Sequence, residues 1–459
     1  MASPRQLKLG AFLMSPGHHV AAWRHQDAQA DLGADFKAYV RIAQAAEDAK
    51  FDLVFLDDTL AIKDTSPQTG RFSARSAFFE PITLLSGIAA VTERIGLAGT
   101  VSTTFNEPYT LARKFASLDL ISQGRAAWNL VTSNTEAEAR NFGDDPHLLH
   151  ADRYRRAEEF IDVVTGLWAS FDDDAFAYDK ASGTFYQPDK MHVLNHKGVH
   201  FSVQGPLNVR RSPQGHPVVV QAGSSAPGME LAARTAEIVF TAQQTLADAQ
   251  AFYSDLKARM SRYGRDPSDL LVMPGIFPVI GRTRAEAEDK FARLQDLIDP
   301  KVGIRLLSDM IGGFDLSRYP ADGPVPDLPE TNGGKSRQQL LFELARKEGL
   351  SILQLARRIA GARGHWQVVG TAEDIVDQLE ERFTKGGADG FNIMPPTLPG
   401  GLNDFIELAL PELRRRGLFR IEYEGRTLRE NLGLRRPATS RFDTGRPDAA
   451  CNDSVLAAE

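Results

Sequence analysis

The chain has 459 residues, 42% hydrophobic and 25% charged, the composition of a globular protein with a large core. Lys and Arg number 53 against 60 Asp and Glu, a net charge of −7, so nothing global favours nucleic acid or an anionic membrane, and an anionic ligand needs a local site. The single cysteine, Cys451, excludes an intrachain disulfide and a thiolate metal cluster. No run approaches the roughly 18 apolar residues of a membrane span, and residues 1–16 lack the apolar core of a secretory signal. A soluble cytoplasmic protein is expected.

In chain order, short continuous apolar runs alternate with helical periodicity. The first strand is predicted at residues 7–12, followed by a helix over 36–49 whose inner face carries Phe36, Tyr39, Val40, Ala43 and Ala46. Strand 53–57 leads to a helix over 81–91, and strand 95–102 to a helix over 108–121. Both helices start on proline, Pro81 and Pro108, a residue suited to the first helical position. Strand 126–132 precedes a helix over 150–168 with a stripe of Tyr154, Ala157, Phe160, Ile161, Val164, Leu167 and Trp168. Strands 217–222, 238–242 and 271–280 precede helices over 227–235, 247–262 and 284–298. A helix over 372–385, strand 390–394 and a helix over 403–416 complete the series.

Runs that are apolar throughout are what parallel strands covered on both faces require. Eight β-then-α units predict an α/β protein, a closed (β/α)8 TIM barrel with insertions; the alternative is an open doubly wound sheet. One barrel domain is expected over 1–434. Residues 171–216 read as a hairpin excursion with its turn at Asn195, His196, Lys197 and Gly198. Residues 300–367 read as a Gly/Pro-rich loop from Gly312 to Gly334 plus a short helix over 337–359, a candidate lid. Residues 435–459 read as a flexible polar tail.

Active sites of such barrels lie at the C-terminal strand ends. There the sequence places His18, His19, Arg24 and His25 after strand one and Asp57-Asp58 after strand two. Ser102, Thr103, Thr104 and Asn106 follow strand three, and Thr132, Ser133 and Asn134 follow strand four, with Asn129 inside it. The strongest single signal is Gln221-Ala222-Gly223-Ser224-Ser225-Ala226-Pro227. A strand stops, glycine turns the backbone, and two serines open a helix, which favours phosphate; a serine N-cap alone would explain the same residues. His150 and Tyr154, four apart with Arg153 between, read either as a phosphate contact or as an ordinary helix start. Asp57-Asp58 could serve a metal, a proton transfer or a ligand N–H, or only cap nearby backbone.

Other motifs fail. His192, His196 and His200 have helical metal spacing but span the turn. Gly333-Gly334-Lys335-Ser336 lacks the earlier P-loop glycine, since residue 329 is Pro329. No Gly-x-Gly-x-x-Gly fingerprint and no nucleophile elbow follow any strand.

Several stretches resemble one flavin monooxygenase family. They include Gly17-His18-His19, Ala22-Trp23-Arg24-His25, Phe55-Leu56-Asp57-Asp58 and Ser102-Thr103-Thr104 with Asn106-Glu107-Pro108-Tyr109. Further on come Trp128-Asn129-Leu130-Val131-Thr132-Ser133, Glu138-Ala139-Arg140-Asn141-Phe142-Gly143, His150 with Arg153-Tyr154, Gln221-Ala222-Gly223-Ser224-Ser225, Ala388-Asp389-Gly390-Phe391 and Tyr423-Glu424-Gly425. The pattern resembles the nitrilotriacetate, EDTA and dibenzothiophene-sulfone monooxygenases of the bacterial luciferase-like superfamily, over nearly the whole chain to about Leu434.

The resemblance implies a luciferase-like barrel and a two-component monooxygenase using reduced FMN and O2. A separate NAD(P)H:flavin reductase would supply the FMNH2, and the chain would form a homodimer or homotetramer. FMN contacts are implied for Asp58, Thr104, His150, Tyr154 and Ser225, with Asn129 and Ser224 as neighbours by strand position. Which of Asp57 and Asp58 faces the flavin stays open. His18 or His19 is the catalytic candidate and Arg24 the candidate for substrate carboxylates. The expected substrate is a small organic molecule, an aminopolycarboxylate undergoing oxidative N-dealkylation. A sulfone, aromatic or heterocyclic substrate, a deazaflavin-dependent dehydrogenase, or a non-catalytic flavin-binding protein are the alternatives. No metal, nucleic acid or membrane partner is expected.

Overall fold

A computed structural model of the chain describes residues 5–438 except 63, 144–145 and 333–334. Cys451 and most of the expected tail lie outside the described residues. The strands are β1 Lys8–Phe12, β2 Leu53–Leu56, β3 Gly96–Ser102, β4 Ala126–Val131, β5 His196–Lys197, β6 Ser202–Val203, β7 Val218–Gln221, β8 Ile238–Thr241, β9 Leu271–Ile280, β10 Trp366–Gly370 and β11 Gly390–Ile393. Eight of them close a parallel barrel in the order β1-β2-β3-β4-β7-β8-β9-β11, with β11 pairing back to β1. These are the eight strands expected from the apolar runs. The closing pairs, Lys8↔Gly390 and Ile238↔Leu271, decide against the open sheet.

β10 is an addition. The first residues of β9 pair with β8, and the strand then runs past the end of β8, where Ile276–Ile280 meets Trp366–Gly370. An exposed strand edge is thereby covered. The second excursion therefore ends one residue before Trp366 instead of at 367. Inside it, the single helix expected over 337–359 is two, Lys335–Glu348 and Ile352–Ile359. Gly349 adopts φ +62°, a conformation glycine takes freely. Ser351 and Gln354 then restart the helix with a capping box. These helices and Pro300–Met310 bury a core of their own around Leu307, Leu341 and Leu355.

In the first excursion β5 pairs antiparallel with β6, but the turn is at 198–201, where Gly198 N donates to Phe201 O at 2.9 Å. His196 and Lys197 are strand, not turn. His192 meets Asp172 and His196 meets Glu159, each at 3.0 Å. Glu159 also accepts the His200 and Phe201 amides at 2.8 Å and so holds the hairpin tip.

The N-terminal pole of the barrel is closed by carboxylates. Glu47 accepts the Ile95 amide at 2.9 Å, Asp52 that of Leu9 at 2.8 Å and Asp119 that of Ala126 at 2.9 Å. Glu237 accepts from Val219 at 3.0 Å and Asp389 from Val272 at 2.8 Å. Strand starts expose amides that no neighbouring strand satisfies, and a carboxylate is a strong acceptor for them. Arg420 pairs with Asp52 and Arg429 with Glu237, which brings the segment after Leu418 beneath the barrel. Arg435 and Arg436 continue it, on Asp269 and Asp173.

Candidate functional site

The opposite pole is open. A cavity of about 250 Å3 lies over β4 and β7, and Asp58, Ser133, Glu138, Tyr154, Gln221 and Gly223 are among its walls. Its floor is polar. Asn129 Nδ2 donates to Thr100 Oγ1 at 2.8 Å, and Thr100 donates to Leu56 O at 2.7 Å. That leaves Asn129 Oδ1 buried without a hydrogen-bond partner among the described residues, and Gln221 Oε1 is in the same condition. A buried acceptor without a donor is costly, so these atoms point to a ligand bearing N–H or O–H groups.

One end of the cavity is built around small residues. Ser225 caps the helix Ala226–Thr235, its Oγ accepting the Gly228 amide at 3.3 Å. A Cβ at Gly228 would lie 2.9 Å from Tyr154 Oη and 3.1 Å from Ser225 Oγ, and one at Gly223 would lie 3.3 Å from Tyr154 Oη. The two glycines therefore let two hydroxyls and a helix start converge, the donor set and dipole that suit a phosphate. The His150 ring lies 4.9 Å from that of Tyr154, with burial, then Arg153, lowering its pKa. Ser224 Oγ is turned to Thr241 Oγ1 at 3.2 Å. Thr104 donates to Thr132 O at 2.7 Å and so shapes the wall.

Asp58 lines the cavity, whereas the charge of Asp57 acts on Arg75 and Tyr39. Burial pushes the Asp58 carboxyl up to about 7; the Thr59 amide at 2.9 Å opposes the shift, and Asp57, Glu80 and Glu138 add to it. The carboxyl can thus hold or release a proton near neutrality.

His18 and His19 are not among these walls. Both are buried in the loop after β1. His18 Nε2 meets Phe12 O at 3.1 Å, and its ring stands edge-on to Phe12 at 4.4 Å. His19 Nδ1 accepts the Ala21 amide at 3.2 Å. Burial, then the charge of Arg75, holds His18 well below the usual histidine range and lowers His19 to about 3. Both rings are neutral at pH 7, with His18 Nδ1 and His19 Nε2 left without partners among the described residues. Arg24 is not among the walls either: it is exposed and donates to Leu297 O. The Arg153 guanidinium holds Leu148 O and Asn332 of the second excursion, with Nε left without a partner among the described residues.

Sequence reading missed Glu138 and Gln221 as walls. Glu138 accepts the Thr135 hydroxyl at 2.7 Å, a local contact at the helix start, and the Leu60 amide at 3.2 Å, a contact between distant segments that no local pattern announces. Among the described residues no group of His, Cys, Asp and Glu could hold a metal ion, and no helix is long and apolar enough to cross a membrane.

Residues 14–390 match the family described as luciferase-like monooxygenase. The chain is 50% identical over 448 residues to nitrilotriacetate monooxygenase component A of Aminobacter aminovorans, covering 96% of this chain and 99% of that protein. It is 50% identical over 435 residues to N-acetyl-S-(2-succino)cysteine monooxygenase of Bacillus subtilis (strain 168), covering 94% and 98%. Among solved structures, riboflavin lyase with modified FMN and riboflavin superposes with a TM-score of 0.86 at 32% identity, covering 94% and 97%. The chain belongs to the luciferase-like monooxygenase family and is a flavin-dependent monooxygenase.

Proposed function

We propose that this chain is the oxygenating component of a two-component system that takes reduced FMN from a separate NAD(P)H:flavin reductase and oxygenates an aminopolycarboxylate. The observation that carries the flavin site is the cavity lined by Asp58, Tyr154 and Gln221, whose Oε1 is unpartnered, with the unpartnered Asn129 Oδ1 belonging to the residue before its Leu130 wall. The Ser225 and Tyr154 hydroxyls converge at its other end. The group fits: Ser224, Ser225, Tyr154 and His150 would take the phosphate, and Asp58, Thr104 and Asn129 would border the ring system. Reduced FMN, when bound, supplies two electrons for the activation of O2.

The chain's residues bind, orient and exclude water. Asp58 holds or gives a proton at the rim, and the neutral His18 and His19 offer ring nitrogens on the substrate side without adding charge. One oxygen atom enters a C–H bond beside the substrate nitrogen and the other leaves as water. The resulting carbinolamine breaks into a shorter amine and an aldehyde, glyoxylate for an aminoacetate arm. The substrate class is supported by two relatives at 50% identity whose names carry polycarboxylates. The component designation of the first supports a partner reductase. A cytoplasmic homo-oligomer belongs to the same reading.

The test is coupled turnover with FMN, a flavin reductase, NADH and 18O2 over nitrilotriacetate, iminodiacetate and dibenzothiophene sulfone. Label in glyoxylate from an aminoacetate, corrected for exchange with water, is the expected result. Label only in a sulfone product would move the substrate class. FMN binding without any product would overturn the aminopolycarboxylate reading and keep the flavin site.

A further inference from the structure

Two arginines of the second excursion, Arg337 and Arg363, are not among the walls of the cavity. Arg337 lies in the first turn of the helix Lys335–Glu348 of the second excursion, half-buried. Its Nη1 donates to the carbonyl of Arg363, and its Nη2 lies 3.4 Å from His365 Nε2. Gly364 makes room for it, since a Cβ there would stand 2.8 Å from Arg337 Nη1. Burial alone lowers the Arg337 pKa, to about 10, with no carboxylate offsetting it.

Arg363 repeats the pattern. Its backbone is held at φ +52°, a conformation that L side chains avoid and that clusters at functional sites. Its Nε and Nη2 are buried without a hydrogen-bond partner among the described residues.

These groups connect to the barrel interior. The His365 ring stacks on Phe240 at 4.8 Å, Phe240 stands 5.6 Å from Phe12, and Phe12 carries the His18 ring at 4.4 Å. A guanidinium taken out of water is normally paired; elsewhere in this chain Arg420 and Arg429 are. The unpartnered Arg363 donors, beside the Arg337 guanidinium that holds the Arg363 carbonyl, are complementary to an anion with several oxygens, and the planar fork of arginine matches a carboxylate.

We propose that Arg337 and Arg363 form the seat for a carboxylate of the substrate, so that the second excursion, and not the loop carrying Arg24, selects acidic substrates. His365 is a positioning residue that holds the Arg337 fork against Phe240. The proposal rests on the oxygenase reading above and names the residues that would set its substrate class.

The test titrates nitrilotriacetate, and its uncharged trimethyl ester, into the FMN-loaded enzyme and into Arg337→Gln, Arg337→Lys and Arg363→Gln. FMN affinity, melting temperature and, for a turned-over substrate, kcat and KM are read in parallel. Both glutamine variants are expected to weaken nitrilotriacetate binding by about ten- to a hundredfold and to raise KM with kcat little changed. Lysine restores part of the affinity, and the ester does not distinguish the variants. FMN affinity stays at the wild-type value, and any fall in melting temperature is confined to the Arg337 variants, where the bond to the Arg363 carbonyl is altered.

Unchanged nitrilotriacetate binding in the glutamine variants, or none by the folded wild type, would overturn the seat. Weakened FMN binding in their place would overturn it too, by directing the guanidinium groups to the flavin phosphate. Carboxylate binding that depends on Arg337 in a protein that binds no FMN would keep the seat and remove the oxygenase reading.

Discussion

At the N-terminal pole of the barrel, Asp52, Asp119, Glu237 and Asp389 each accept a strand-start amide, and Arg420, Arg429 and Lys257 neutralise three of them. At the C-terminal pole, His18 Nδ1, His19 Nε2, Asn129 Oδ1, Gln221 Oε1 and two nitrogens of Arg363 are buried with no partner among the described residues. Asn431 Nδ2 is an exception at the N-terminal pole. Each unmet buried polar atom costs about 1–3 kcal/mol. The first pole therefore contributes stability, while the second carries a cost that ligands can relieve. The difference separates residues that hold the barrel closed from residues that wait for a partner.

The largest effect that would test this separation is at the base. Arg420→Met leaves the fully buried Asp52 with Lys8 as its remaining cation, and a loss of about 3–5 kcal/mol in urea unfolding is expected. FMN affinity per folded molecule should be unchanged; a parallel loss of FMN affinity would break the division between poles.

A smaller effect comes from acid. His19 is depressed to about 3 in the fold against about 6.5 unfolded. Its contribution to stability is present above the unfolded value and lost as pH falls toward the folded one. His19→Gln should flatten the fall in urea midpoint between pH 7 and pH 4; an identical slope in both proteins would show that the ring is not held neutral.

At the cavity, Tyr154→Phe and Ser225→Ala should each weaken FMN about tenfold, while loss of the Ser225 cap costs about 1 kcal/mol of stability. Fluorescence titration and thermal melts measure the two separately.

A second effect of pH is that of Asp58. Its folded pKa of about 7 lies above the unfolded value of about 3.9. The stability from the protonated form is therefore complete below the unfolded value and lost as pH rises through about 7. Asp58→Asn should gain on the wild type in melting temperature from pH 5 to pH 8. A constant difference would mean that the carboxyl titrates as an exposed one.

Part of the cavity wall was legible because it is made of local signals: Gly223 after an apolar strand, and Tyr154 on the buried stripe of its helix. Glu138 and Gln221 were not legible, since their place in the wall depends on which segments meet across the mouth. Arg24 shows the converse. Its neighbourhood of histidines suggested an anion site, yet its exposed side chain donates to Leu297 O, and the arginines proposed for that role, Arg337 and Arg363, belong to the second excursion.

By itself, the sequence determined the eight barrel strands and the polar composition of one pole. A strand buried on both faces must be continuously apolar, and a loop at its end is free to be polar. Only the tertiary structure decided that the sheet closes, that Trp366–Gly370 covers the overhanging edge of β9, and that the helix expected over 337–359 breaks at Gly349. It alone decided which charges are paired and which are left unmet. Those outcomes depend on contacts between residues far apart in the chain, and no local periodicity or propensity encodes them.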